Sequence, residues 1–284
     1  MILYKKIHDL QKRLQVLRTK GKTIGFVPTM GALHDGHMQL IETCKQNNEI
    51  AVCSIFINPV QFNDKKDYEK YPVTIDQDIM FLEKNHTDIL FWPPVSEIYP
   101  DGLETDFTYE LGYLETILEG FYRPGHFQGV CRVMHILLNI VQPDDLFMGQ
   151  KDYQQCMVLR KLIQDNAIPT KLHIADTQRE ESGLAMSSRN MRLSNEGKQK
   201  ATAIYTALNY IKNNINSGDV ERLKEPARQI IMDAGFEKID YVEICDAVSL
   251  EPAIKIDASK KYVALAAAFL DGVRLIDNMI IDVA

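Results

Sequence analysis

The stretch FVPTMGALHDGHMQLI, residues 26–41, constrains the fold more than any other part of the chain. It begins as an apolar run with the character of a buried strand, turns between two glycines, and continues with apolar residues at helical spacing. A strand that feeds a helix through a short glycine-bounded turn is the opening unit of an α/β domain with a parallel sheet. Strand-like runs at 23–28 (TIGFVP), 50–57 (IAVCSIFI) and 88–92 (DILFW) alternate with the helical segments HMQLIETCKQ and TIDQDIMFLEKN. A further run, TKLHIADT at 170–177, follows the helical pattern VCRVMHILLNIVQ at 130–142, and the charged start MILYKKIHDLQKRLQVLR reads as an amphipathic helix. The pattern predicts α/β class: a Rossmann-like, doubly wound parallel sheet over residues 1–177, with its ligand crevice at the carboxyl ends of the strands. From residue 178 the character changes to a polar loop, two helical stretches (197–215 and 225–236) and the strand runs DYVEICDA, YVALAAAFL and VRLIDNMII. That part predicts a smaller α+β domain over residues 178–284.

Composition narrows the function. Lys and Arg number 32 against 39 Asp and Glu, a net charge of −7, so no general phosphate-tracking surface and no nucleic-acid partner is expected. The longest apolar runs fall well short of the ~20 residues that span a bilayer, so no membrane partner is expected either. The five cysteines, Cys44, Cys53, Cys131, Cys156 and Cys245, are odd in number and never form C-x-x-C. They predict reduced, mostly buried thiols rather than a disulfide framework or a zinc ribbon, and the charged amphipathic start together with the short apolar runs predicts a cytoplasmic protein.

Gly31 to Gly36 has the G-x-x-x-x-G spacing of a P-loop, but His37 and Met38 stand where that loop carries Lys and Ser or Thr. Leu33 breaks the alternative G-x-G-x-x-G fingerprint. The physics of the turn survives: glycines allow close approach of backbone to phosphate, and a helix starting near Gly36 directs its N–H groups and positive dipole end at an anion. His34 and His37 can then donate to phosphoryl oxygens that gain charge as pyrophosphate leaves. A lone histidine more commonly fills a core or meets solvent, and H-x-x-H here lacks a third ligand in register, so no metal site is expected.

Three other stretches carry the right chemistry. In ESGLAMSSRNMRLS (181–194), Met186, Ser187, Ser188 and Arg189 offer two hydroxyls and a guanidinium to phosphate oxygens. In FMGQKDYQQC (147–156), Lys151 supplies a point charge, Asp152 can accept from a ribose hydroxyl, and Gln155 is expected one helical turn beyond Lys151 on the same face. In FINPVQFN (56–63), Asn58, Gln61 and Phe62 follow a buried strand at the functional edge of the sheet, where amides can bind a small hydroxy acid. RPGHFQGV (123–130), with Arg123 and His126, reads first as a structural turn.

The histidine turn and the late M-S-S-R-N loop together resemble the HIGH and KMSKS signatures of adenylate-forming nucleotidyltransferases. PTMGALHDGH, FINPVQF, YRPGHFQGV, QPDDLFMGQKDYQQ and GLAMSSRN, in this order, resemble the pantoate–β-alanine ligase family, from about residue 20 to GVRLIDN. The resemblance implies ATP-dependent condensation of (R)-pantoate with β-alanine to pantothenate, AMP and pyrophosphate through a pantoyl adenylate. It implies that Met30, Gly31, Ala32, Leu33, His34, Asp35, Gly36 and His37 hold ATP, with His37 a proton donor. It implies that Gly149, Gln150, Lys151 and Asp152 meet the ribose and phosphates, the backbone of Gln178 the adenine, and Met186, Ser187, Ser188 and Arg189 the triphosphate. Gln61 and Gln155 match pantoate-binding glutamines, and the smaller domain is expected to close over the ATP site. Mg²⁺ on the triphosphate and a homodimer are further expectations. Gln150, Gln128, Arg132 and Met134 depart from the family's usual pattern. The residues themselves leave two other functions open: a nucleotidyltransferase that stops at a nucleotidylated small acid or phosphate, and a non-catalytic nucleotide-binding module.

Overall fold

The computed structural model describes residues 1–215 and 219–283. The chain divides into two compact units, Met1–Gly149 with Gln155–Asp176, and Gln150–Gln154 with the segment from Thr177 onward. In the first unit β1 (Ile2–Tyr4), β2 (Ile24–Thr29), β3 (Ile50–Ile55), β4 (Ile89–Phe91), β5 (Asp145–Gly149) and β6 (Lys171–Ala175) form one sheet in the order β1-β4-β3-β2-β5-β6. Every pair in it is parallel. The helices are α1 (Ile7–Thr19), α2 (Asp35–Asn47), α3 (Lys65–Glu69), α4 (Ile75–Lys84), α5 (Val95–Ile98), α6 (Leu118–Tyr122), α7 (His126–Val141) and α8 (Tyr153–Asp165).

The central strands are apolar on both faces, as a parallel sheet covered by helices requires. Ile24, Phe26, Val27, Ala51, Val52, Cys53, Leu146 and Phe147 are all fully buried. From β2 the chain steps to β3 and β4 on one side, while β5 and β6 lie on the other. The order therefore reverses between β2 and β5, and the crevice beyond their carboxyl ends is where an open α/β sheet binds ligands. Gly25 lets β2 lie against α2: a Cβ there would stand 2.4 Å from Cys44 Sγ.

In the second unit β7 (Lys238–Asp246), β8 (Lys261–Leu270) and β9 (Val273–Asp282) form an antiparallel sheet in that order. With it go α9 (Asn195–Ala201), α10 (Ala203–Asn214) and α11 (Val220–Asp233). Ile204, Leu208, Ile211, Leu223, Ala227 and Ile231 share one buried cluster with Val242, Ile244, Ala264 and Ala266 of the sheet.

Three local expectations need correction. The start of the chain is not wholly helical: Ile2–Tyr4 pairs with β4 before α1 begins, because three residues at a sheet edge carry no periodicity of their own. DLFMG, embedded between two helical patterns, is the strand β5. The helical stretch 197–215 is two helices broken at Thr202, and the next helix starts at Val220, capped by the Asp219 side chain accepting from Arg222 N–H at 3.4 Å.

Candidate active site

The turn after β2 is built from two consecutive left-handed residues, Gly31 at φ 85° and Ala32 at φ 51°. Glycine adopts this conformation without penalty, whereas alanine does not, so the turn needs an external constraint. Asp78, from the first turn of α4, supplies it. Its Oδ2 accepts from the Ala32 N–H at 3.0 Å and its Oδ1 from the Leu33 N–H at 2.8 Å, while Thr74 Oγ1 donates to Oδ1 at 3.2 Å. Asp78 is 3% exposed, so these donors offset the cost of burying its polar oxygens. The N–H groups of Ala32 and Leu33 are thus committed to a carboxylate, whereas the N–H groups read from the sequence as facing an anion are those of the helix that starts beyond them.

His34 is the N-cap of α2 in extended conformation, and His37 lies in the first turn. The His34 N–H donates to His37 Nδ1 at 3.3 Å, and the two rings lie 4.1 Å apart between centroids. A neutral imidazole that accepts at Nδ1 carries its proton on Nε2. The cap therefore selects the His37 tautomer that donates from the far edge of the ring, at the positive end of α2.

Gln61 ends the turn Pro59–Gln61 after β3, and its amide is oriented by neighbours. Asn58 Nδ2 donates to Gln61 Oε1 at 3.0 Å and to the Gly129 carbonyl at 3.1 Å, and Gln61 Nε2 reaches Met30 Sδ at 2.9 Å. Asn58 Oδ1 accepts from Tyr99 Oη at 2.7 Å, and burial pushes the Tyr99 hydroxyl's pKa well up, keeping it a donor. His126 Nδ1 lies 2.8 Å from the Gln61 carbonyl, and a Cβ at Gly129 would stand 2.3 Å from the Val60 carbonyl oxygen. Asn58 and His126 are 1% and 5% exposed, so they hold Gln61 rather than line a surface. Arg132 lies over the Tyr99 ring, 4.7 Å from its centroid, and binds the carbonyls of Gly102 and Leu103. Gln128 pairs with both backbone groups of Tyr109 at 2.8 and 2.9 Å. Two of the three unusual residues on α7, Gln128 and Arg132, thus brace the segment from Tyr99 to Tyr109, while the third, Met134, is buried in the core.

In the second unit, Gln150, Lys151 and Asp152 form a 3-10 turn. Lys151 and Gln155 do not share a helix face: Lys151 precedes α8, and the two residues belong to different units. Asn278 of β9 holds this turn, its Nδ2 donating to the carbonyls of Gln150 at 2.9 Å and Lys151 at 2.8 Å while its Oδ1 accepts from Gln150 Nε2 at 3.1 Å. The serine loop is equally supported. Met186 N–H donates to the Gln178 carbonyl at 2.9 Å, Ser187 Oγ caps the turn Ser188–Arg192 by accepting from Arg189 N–H at 3.2 Å, and buried Asn190 donates to the Ala185 carbonyl at 3.0 Å. Lys151, Ser187 and Arg189 line one pocket together with Tyr205 and Asp277. Asp277 binds Arg179 through both carboxylate oxygens, at 2.6 and 3.0 Å; burial draws the carboxyl's pKa upward against the pull of that guanidinium. Asp78, Tyr99, Asp277 and Asn278 are the supports that sequence reasoning missed, and Asn58, read there as a ligand-binding amide, is a support of the same kind. The available signals were an acid one turn before Leu82 on the apolar face of α4, and an Asp-Asn pair inside the otherwise apolar VRLIDNMII.

Among the described residues no three His, Cys, Asp or Glu side chains gather so as to hold a metal. No helix among them is long and apolar enough to cross a membrane.

The sequence matches the family described as pantoate-beta-alanine ligase over residues 2–280. It is similar to a pantothenate synthetase of Caldicellulosiruptor saccharolyticus, 41% identical with both chains fully covered, and to one of Aquifex aeolicus, 42% identical over 98% of each. Among solved structures it is similar to a pantothenate synthetase from Thermus thermophilus, with 36% identity, a TM-score of 0.90, and 98% and 99% of the two chains covered. It is also similar to a pantoate-beta-alanine ligase from Francisella tularensis complexed with beta-gamma ATP and beta-alanine, at 37% identity and a TM-score of 0.80, covering 98% and 97%.

Proposed function

The chain belongs to the pantoate-beta-alanine ligase family, and we infer that it joins pantoate to β-alanine in two steps, with ATP cleaved to AMP and pyrophosphate. A carboxylate does not acylate an amine in water until one oxygen becomes part of a better leaving group. In the first step the pantoate carboxylate oxygen attacks the α-phosphorus, and the bond to the pyrophosphate oxygen breaks with its electron pair. In the second the β-alanine nitrogen attacks the acyl carbon, AMP departs with the C–O electrons, and the amine loses a proton.

The observation that carries this reading is the His34–His37 pair, whose cap selects a donating Nε2 on His37 at the N-terminus of α2. Charge gathers on pyrophosphate as the bond breaks, and a donor fixed beforehand stabilises that charge without reorganising. The reading assigns the phosphates also to Lys151, Ser187, Ser188 and Arg189, the ribose and neighbouring phosphate to Gly149, Gln150 and Asp152, and the adenine to the backbone of Gln178. The Gln178 carbonyl keeps a second lone pair beside its bond from Met186 N–H, which supports acceptance from an amino group. Gln61, held with its Nε2 outward from Asn58, is assigned as a donor to pantoate oxygens, with Gln155 as a second amide. Mg²⁺ enters as part of the substrate, on the triphosphate oxygens.

The test of the two-step reaction is exchange of labelled pyrophosphate into ATP with pantoate present and β-alanine absent. Exchange supports a free adenylate; a strict need for β-alanine overturns it. A homodimer is also proposed, supported by the exposed Leu103, Phe107, Tyr113, Phe121 and Tyr122 within twenty residues of sequence, and a monomer mass by light scattering would remove it. Cytoplasmic residence, supported by five buried cysteines and no disulfide among the described residues, would be overturned by recovery of the protein in a periplasmic or secreted fraction.

A further inference from the structure

Asp277 and Asn278 are adjacent on β9, 6% and 2% exposed, and a strand that packs in a core does not hold two such residues without partners. Their partners are two segments distant in sequence. Asn278 Nδ2 faces two carbonyl oxygens, of Gln150 and Lys151, which fixes the orientation of the amide and leaves Oδ1 to accept from Gln150 Nε2. Asp277 grips Arg179, whose guanidinium also donates to the carbonyls of Gly183 and Asn278, both at 3.2 Å, and lies 4.3 Å from the centroid of the Tyr205 ring. The link is reinforced by the Asn278 N–H, which donates to Asp277 Oδ1 at 2.8 Å. Arg179 pairs with Ala185 across a short antiparallel bridge. Beyond it run Met186 to Arg189. The bridge is tight: a Cβ on Gly183, at φ 91°, would stand 2.4 Å from the Tyr205 ring.

We propose that Asp277 and Asn278 are positioning residues for the reaction, one peg for each phosphate-binding segment, and that Asn278 acts through Lys151. This rests on the assignment of Lys151 to the phosphates given above. A lysine side chain is long and flexible, so where its ammonium sits depends on where its backbone is anchored. Asn278 anchors that backbone at Lys151's own carbonyl. Because neighbouring residues of one strand hold both segments, the lysine and the serine loop are set at a fixed spacing in the pocket they line together.

The test is a double-mutant cycle on pyrophosphate exchange with N278A, K151A and the double variant, with the KM for ATP measured in each. N278A is expected to lower the exchange rate about 10- to 100-fold, the scale of a catalytic group misplaced by about an ångström, with a smaller change in KM. In the K151A background the same substitution is expected to lower the rate less than about twofold, because a group that acts through another has nothing left to act upon. Thermal melts identify a variant that fails to fold; N278S, which keeps one donor, then replaces N278A in the same cycle. Multiplying effects, or a normal exchange rate in a folded Asn278 variant, overturn the proposal. A normal rate in K151A alone instead overturns the assignment of Lys151, and is read separately from the cycle.

Discussion

Replacing Asp78 isolates what holds the histidine turn in place. The carboxylate takes two backbone N–H groups, from Ala32 and Leu33, and one hydroxyl, from Thr74. In Asp78→Ala both N–H donors lose their acceptor, and each buried unsatisfied donor costs about 1–3 kcal/mol, so about 2–6 kcal/mol in sum. Part returns when Ala32 leaves its left-handed conformation, which stores about 1 kcal/mol. In Asp78→Asn the shape is kept, one oxygen still accepts, and an NH₂ faces the second N–H; the expected loss is about 1–3 kcal/mol. The measurement is urea unfolding followed by the fluorescence of Trp92. This is the only tryptophan in the chain, and it packs against the cluster of Val27, Met38 and Leu82 in the same unit as the turn. A probe confined to that unit matters, because two compact units need not unfold in one transition. The midpoint should fall with the urea slope unchanged. A folded Asp78→Asn variant within about 0.5 kcal/mol of the parent, the usual range of an inconsequential surface change, would show that the carboxylate does not secure the turn.

The histidines give a kinetic counterpart: His34→Ala and His37→Ala should each slow single-turnover adenylate formation about 10²- to 10³-fold with a smaller change in ATP affinity. His37→Asn should do the same while retaining stability, since its amide oxygen can still cap the helix; normal adenylation in these variants would make the turn a structural joint only. The thiols give a pH dependence. Burial pushes Cys44, Cys131 and Cys245 from an ordinary value near 9 up to about 12, so at pH 8 a fraction of about 10⁻⁴ of each is thiolate, and Ellman's reagent should react with the native protein far more slowly than with the unfolded chain. These are acids whose pKa is raised by folding, so the stability they confer is complete below pH 9 and is lost between pH 9 and 12, by about 1.4 kcal/mol per thiol per pH unit; urea midpoints that stay level across that window would contradict it.

What was legible in the sequence was what periodicity and turn chemistry encode locally. The strands at 24–29, 50–55, 89–91 and 171–175 lie inside the runs read from the pattern or within a residue of them, and the glycine turn after the first of these leads into a helix as read. β1 and β5 escaped because a short run takes its strand identity from the neighbour it pairs with. At the site the errors have one origin. The hold of Asp78 on Ala32 and Leu33 was invisible because the acceptor lies some 45 residues along the chain. Asn58 looked like a ligand-facing amide, yet both ends of it are occupied by Tyr99, Gln61 and Gly129. Long-range hydrogen bonds of this kind leave only one trace in a sequence: a polar residue standing where the local pattern asks for an apolar one.

The grip of Asn278 on the Gln150–Lys151 turn also sets an order of events during synthesis. The bond to the Lys151 carbonyl spans 127 positions. At about 5–20 residues per second, the turn is made some 6 to 25 s before the amide that will hold it. Throughout that interval the Lys151 backbone must wait without its anchor, although β5 just ahead of it can already pair with β2 in its own sheet. Closing a loop of this length costs only slightly more than closing one half as long, about 0.6 kcal/mol per doubling, so the delay is one of timing rather than of thermodynamics. A ribosome-bound chain halted between these two points would carry the histidine turn complete and the lysine turn unanchored, the latter gaining its hold only when β9 emerges.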